Sequence, residues 1–124
     1  MRRAVWLALG VALGACGDGG ACEEPMLRIL APEDRTILGV RDDADPAVPG
    51  IQHAVAVEAC GLEAEEVVLW LEAPHVSPFA RVRLDEQGFG EAVVPLPVGE
   101  AVVRARSEDR EVASEAVTLL VTLR

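Results

Sequence analysis

The chain has no lysine, no tyrosine and no asparagine, and its four aromatic residues are Trp6, Trp70, Phe79 and Phe89. Positive charge is scarce as well. All 11 basic residues are Arg, against 21 acidic ones, for a net charge of −10. That balance excludes the basic surface that nucleic acid phosphates require. It also opposes electrostatic attraction to anionic lipid headgroups. No hydrophobic run is long enough for a transmembrane helix. The run Ala4 to Leu13 reaches only ~15 Å as a helix, half of a ~30 Å hydrocarbon core. From Pro25 onward helical periodicity of useful length is missing too. What the chain does have is 51% apolar residues, enough buried surface to offset ordering entropy, which excludes a disordered chain. Its 124 residues amount to one domain.

The N-terminus carries a processing signal. Met1-Arg2-Arg3 is a short basic start, the apolar run follows, and Leu13-Gly14-Ala15-Cys16 closes it with small residues. This is the layout of a secretory signal peptide. Leu13-Gly14-Ala15-Cys16 resembles the lipobox of bacterial lipoproteins. The resemblance implies that residues 1–15 are removed and that Cys16 becomes the first residue. Its thiol then carries a diacylglyceryl group, and its amine is often acylated, for instance with palmitate. Several acyl chains anchor firmly where one is marginal. Gly17 rather than Asp follows the anchor, which favours the outer membrane of the cell envelope. Residues 16–25, rich in Gly and acids, read as the anchored cysteine and a short flexible tether.

Residues 26–124 are short runs of Val, Leu and Ile separated by Gly, Pro and Asp clusters, a pattern of strands and turns. Seven strands are predicted, over 26–30, 51–59, 67–71, 79–84, 90–96, 101–106 and 112–123. Asp85-Glu86-Gln87-Gly88 and Ser107-Glu108-Asp109-Arg110 supply tight connections, and Pro95, Pro97 and Gly99 mark another reversal. Seven short strands in about 100 residues are the arithmetic of a β-sandwich. The expected fold class is therefore all-β.

Three segments carry a second resemblance: Ile29-Leu30-Ala31-Pro32-Glu33-Asp34, the stretch Asp42 to Gln52, and Leu96-Pro97-Val98-Gly99. They look like pieces of the immunoglobulin-like domains of bacterial envelope and surface proteins. The resemblance implies a single immunoglobulin-like β-sandwich over 26–124. It departs from antibody domains in having no Cys in the sixth strand and no Tyr for a tyrosine corner.

With Cys16 lipidated, Cys22 and Cys60 remain as a pair in an oxidising compartment. In the sandwich, Cys22 precedes strand one and Cys60 follows strand two. Antiparallel pairing of those strands brings the two cysteines together. Free thiols or a bridge to another chain are the alternatives.

Two clusters are candidates for function. If Val67, Leu69 and Leu71 face the core, strand parity sends Trp70 outward. The immunoglobulin-like resemblance implies that the third and sixth strands are neighbours, which puts Arg104 or Arg106 over the indole. With Arg81 and Arg83 these residues form a candidate basic-aromatic interaction patch, since Trp and Arg are enriched at binding hot spots. A single bulge would reverse the parity and turn Trp70 inward. Asp42, Asp43 and Asp45 are the one carboxylate cluster with something like calcium-ligand spacing, although a solvated turn capped by its Asp side chains explains them too. Ser77, Ser107 and Ser114 stand in no nucleophile-elbow pattern, and His53 and His75 show no ligand spacing with the cysteines. The expectation is a non-catalytic protein without a cofactor, anchored to the membrane and binding a protein partner in the envelope as an interaction, adhesion or accessory module. A calcium- or glycan-binding domain and a structural spacer are the alternatives.

Overall fold

A computed structural model describes residues 22–124. The signal segment 1–15, Trp6, the anchor Cys16 and the start of the tether lie outside the described residues. Among the described residues, period-two burial organises the chain. Along residues 67–71 apolar side chains at 67, 69 and 71 are buried while 68 and 70 are half-buried on the other face. Residues 101, 103 and 105 repeat the pattern. Such alternation is what a strand with one covered face requires.

The strands are β1 (Met26–Ala31), β2 (Ile37–Leu38), β3 (Ile51–Cys60), β4 (Glu66–Ala73), β5 (Ser77–Arg83), β6 (Phe89–Leu96), β7 (Gly99–Arg106) and β8 (Val117–Val121). They form a three-stranded sheet in the order β1-β3-β6 and a five-stranded sheet in the order β2-β8-β7-β4-β5. All neighbours are antiparallel except β2 and β8. The two sheets are the layers of a β-sandwich. The fold is an all-β sandwich, as the strand and turn pattern predicts.

Between the layers lies one core. The three-stranded sheet contributes Leu27, Ile51, Val55, Val57, Val94 and Leu96, and the five-stranded sheet Val67, Leu69, Val82, Val103, Leu119 and Val121. Gly88, at φ +90°, closes the connection between β5 and β6 against β3. A Cβ there would stand 2.1 Å from the Ala59 carbonyl oxygen, so no other residue fits without moving the backbone.

Two differences from expectation concern short pieces. Strand β2 is only two residues long, too short to leave a periodic signal. The last strand begins at Val117 rather than 112, because Ser114 interrupts the ladder. Its hydroxyl accepts the Ala105 N–H at 2.9 Å and donates to the Glu115 carbonyl at 2.8 Å. Ala113 upstream retains a single bridge to Arg106.

The edges of the sheets are distinct. Ala59 donates its N–H to Gly88 at 2.7 Å, so the odd-numbered residues of β3 turn their backbone groups to β6 and the even-numbered ones to β1. Pro95 lies opposite Gln52, a position whose N–H would point away from β3. A proline is tolerated there and leaves that outer edge one donor short. Pro78 occupies β5, the other edge strand of its sheet. Strand β1 contains no proline.

Candidate interaction site

Burial of Val67 and Leu69 fixes the inner face of β4 and places Val68, Trp70 and Glu72 on the outer face of the five-stranded sheet. A bulge does occur beside Trp70, with the register to β5 shifting between Leu69 and Trp70. The extra residue, Phe79, is on β5, so Trp70 keeps its parity, while a second bulge, against β7, makes Glu72 the extra residue of β4. Trp70 faces outward, half-buried.

On the adjacent strand Arg104 is directly opposite Trp70, and Arg106 opposite Val68. Both reach the same carboxylate. Glu72 Oε2 accepts from Arg104 Nε at 2.9 Å and from Arg106 Nη2 at 2.7 Å. Arg104 Nη1 also donates to the Ser114 carbonyl at 2.9 Å. Partial burial raises the cost of charging Glu72. The hydrogen bonds and positive charges of the two guanidinium groups outweigh that cost and hold the carboxyl below its ordinary range.

Two cations lie over the indole. The Arg106 guanidinium carbon is 6.0 Å from the Trp70 ring centroid and that of Arg110 is 4.6 Å away. Arg104, the other candidate for that position, is directed to Glu72 and Ser114 instead. Arg110 reaches the ring from a pinned turn. Ser107 Oγ donates to Asp109 at 2.6 Å, Arg110 N–H bonds the Ser107 carbonyl at 2.9 Å, and Val112 N–H bonds Ser107 Oγ at 3.0 Å. The Ser107 hydroxyl and the Glu111 amide keep the Asp109 carboxyl below its usual range. Arg110 itself takes a left-handed backbone, φ 65°.

Arg81 and Arg83 extend the same face on β5. Arg81 pairs with Glu108 and with Glu66, the latter at 3.4 Å, and Arg83 approaches Glu65 at 4.0 Å. The structure thus brings Trp70, Arg81, Arg83, Arg104 and Arg106 onto one face, but not as bare positive charge. It is a lattice of alternating Arg and Glu around one indole.

The remaining candidate residues are elsewhere. Asp42, Asp43 and Asp45 lie in the loop before β3, each turned to backbone amides. Asp42 Oδ2 accepts from Gly39, Asp43 Oδ1 from Asp45 and Gln52, and Asp45 Oδ1 from Ala47, at 2.8 to 3.2 Å. Among the described residues no three His, Cys, Asp or Glu side chains are grouped to hold a metal ion. His53 Nδ1 is 2.8 Å from the Ala54 carbonyl oxygen. Cys22 and Cys60 form a disulfide, with their Cα atoms 5.9 Å apart. It joins the start of β1 to the end of β3, where the first register pair, Met26 with Cys60, begins.

Sequence reasoning missed two contributors. Glu72 is two residues from Trp70, yet it is the extra residue of a bulge against β7, which period two does not encode. Arg110 was hidden as well. Its position depends on how a turn folds back over the sheet, which strand periodicity does not encode. Compared with known families and curated proteins, the chain matches no family model and no curated sequence.

Proposed function

We propose that this chain is a bacterial envelope lipoprotein, anchored through Cys16, whose immunoglobulin-like domain is a non-catalytic protein-interaction module. The reading extends to an outer-membrane location and to an adhesion or accessory role in an assembly. The observation that carries it is Trp70, an aromatic held on an outer sheet face by two guanidinium groups rather than in the core. Pre-ordered Trp and Arg side chains lose little freedom on binding and dominate the energy of protein interfaces. The anchor itself rests on the lipobox-like residues Leu13-Gly14-Ala15-Cys16.

In-cell cross-linking of the tagged protein, followed by purification from membranes and mass spectrometry, tests the proposal. One dominant partner at near-equal stoichiometry, lost in Trp70→Ala while the variant stays folded, is the expected result. Retention of that partner by the folded variant would exclude Trp70 from the interface. Membrane association unchanged in Cys16→Ala would exclude the anchor.

A further inference from the structure

The corner of the sandwich between β1 and the segment leading into β8 contains an open groove of about 720 Å³, bordered by Pro25, Met26 and Leu27 on one side and Val112 to Ala116 on the other, with Arg104 alongside. That volume falls within the ~300–1,000 Å³ of ligand clefts. One wall is the edge of strand β1, and the other is the segment before β8, which a single bridge at Ala113 holds beside β7. Because the even-numbered residues of β3 bond to β1, Arg28 opposite Glu58 makes the ladder hydrogen bonds. Leu27, opposite Ala59, turns its N–H and C=O away from the sheet. On the other wall, Ser107 N–H bonds the Val112 carbonyl and Ser114 N–H bonds the Ala105 carbonyl, each at 2.8 Å. Val112 and Ser114 therefore face β7, and the N–H and C=O of Ala113 between them point away from it.

We propose that this groove receives an extended peptide segment of the partner protein as an added strand, paired through its main chain with Leu27 on one wall and Ala113 on the other. The inference deepens the interaction-module reading and rests on it. A strand is the one occupant whose chemistry matches both walls, since it alone presents alternating donors and acceptors on both sides. The other sheet edges are less receptive, with Pro95 on β6, Pro78 on β5 and only two residues in β2, whereas β1 has no proline within it and Pro25 limits the added strand at its start. The groove is also continuous with the Trp70 face. Arg104, which borders it, is bonded both to Ser114 in its wall and to Glu72 beside Trp70. The lining is mixed, with Leu27, Val112 and Ala113 beside Arg104, Ser114 and Glu115, so main-chain pairing rather than one class of side chain selects the peptide.

The test uses the detergent-solubilised full chain and a displayed library of random heptapeptides. Enriched peptides are resynthesised with a fluorophore and with single backbone N-methyl groups, which remove one N–H donor and leave the side chains intact. Central N-methylation is expected to weaken binding at least tenfold. Ala113→Pro, which removes an outward donor but no ladder bond, is expected to do the same. Hydrogen exchange should slow on bound peptide at Leu27 and Ala113, and Trp70→Ala should change peptide affinity less than twofold. Failure to enrich any peptide, or indifference of the enriched peptides to N-methylation, overturns the proposal even if Ala113→Pro does not fold. Exchange protection at Leu27 that appears with protein concentration alone assigns the groove to a second copy and also overturns it. If peptides bind as described while Trp70→Ala retains its cross-linked partner, the Trp70 surface fails and the groove stands.

Discussion

Glu72 organises the outer face of the five-stranded sheet. With side-chain exposure of 22%, against 30% for both Arg104 and Arg106, it forms a partly buried triad in which one carboxylate neutralises two cations. Removing the acid leaves two guanidinium groups facing each other, so Glu72→Ala should cost about 1.5–3 kcal/mol, the range for hydrogen bonds to charged groups. Its titration follows in sign. The folded-state pKa lies below the ordinary value of 4.5, so ionised Glu72 favours the native state. That contribution is complete above the ordinary value and is lost as pH falls through the lowered one. Thermal melts should show Glu72→Gln less stable than the parent at pH 7, with the gap narrowing at pH 3. Arg110 acts on the ring itself. Arg110→Ala should cost about 0.5–1 kcal/mol and shift Trp70 fluorescence to longer wavelength as water reaches the indole.

At the level of strands, β4 carries two faces with different tasks, and substitution along it should report the alternation. Leu69 is wholly buried, and Leu69→Ala should cost about 2–5 kcal/mol. Trp70→Ala, one residue on, should cost roughly 1 kcal/mol, mainly the lost cation–π contacts. Denaturant unfolding of the two variants measures both. The clamp on β1 is stronger. The Cys22–Cys60 bridge closes a sequence separation of 38 residues, and the chain-entropy model gives about 4 kcal/mol for such a loop. Replacing both cysteines by serine should remove most of that amount, and hydrogen exchange should show β1 opening first.

Strands of this kind were legible because a half-covered sheet imposes period two on side-chain burial. The run Ala101 to Arg106 showed both the strand and its inner face, whereas Val67 to Leu71, apolar on both faces, showed the strand alone. Pairing of Cys22 with Cys60 followed from antiparallel neighbours. What remained hidden lacks a local signature. Strand β2 has two residues and is held by its parallel partner. The start of β8 is moved by a single hydroxyl, that of Ser114. The Arg110 contact with Trp70 spans 40 positions and depends on a turn, and the pairing of each Arg with a particular Glu is decided by register and side-chain reach.

Across the whole molecule, charge and apolar surface are segregated by layer rather than by half. The core is aliphatic, and about half of the acids among the described residues accept a hydrogen bond or pair with an Arg. The Asp42, Asp43 and Asp45 loop shows this directly, since its carboxylates cap backbone amides. Millimolar Ca²⁺ should therefore leave the melting temperature unchanged, where a native-state calcium site would raise it by mass action. A rise of several degrees would restore those three residues as ligands.

The position of the disulfide has a mechanical consequence. Strand β1 lies at the edge of its sheet, where a pull on the preceding chain would ordinarily peel it off one rung at a time. Cys22 comes before β1 and is bonded to Cys60 on β3, the central strand of that sheet. Tension applied upstream of Cys22 passes through the sulfur bridge into β3, which is flanked by partners on both sides. Strand β1 becomes slack in the line of force, and whatever holds the N-terminal end of this chain pulls on the middle of a layer rather than on its rim.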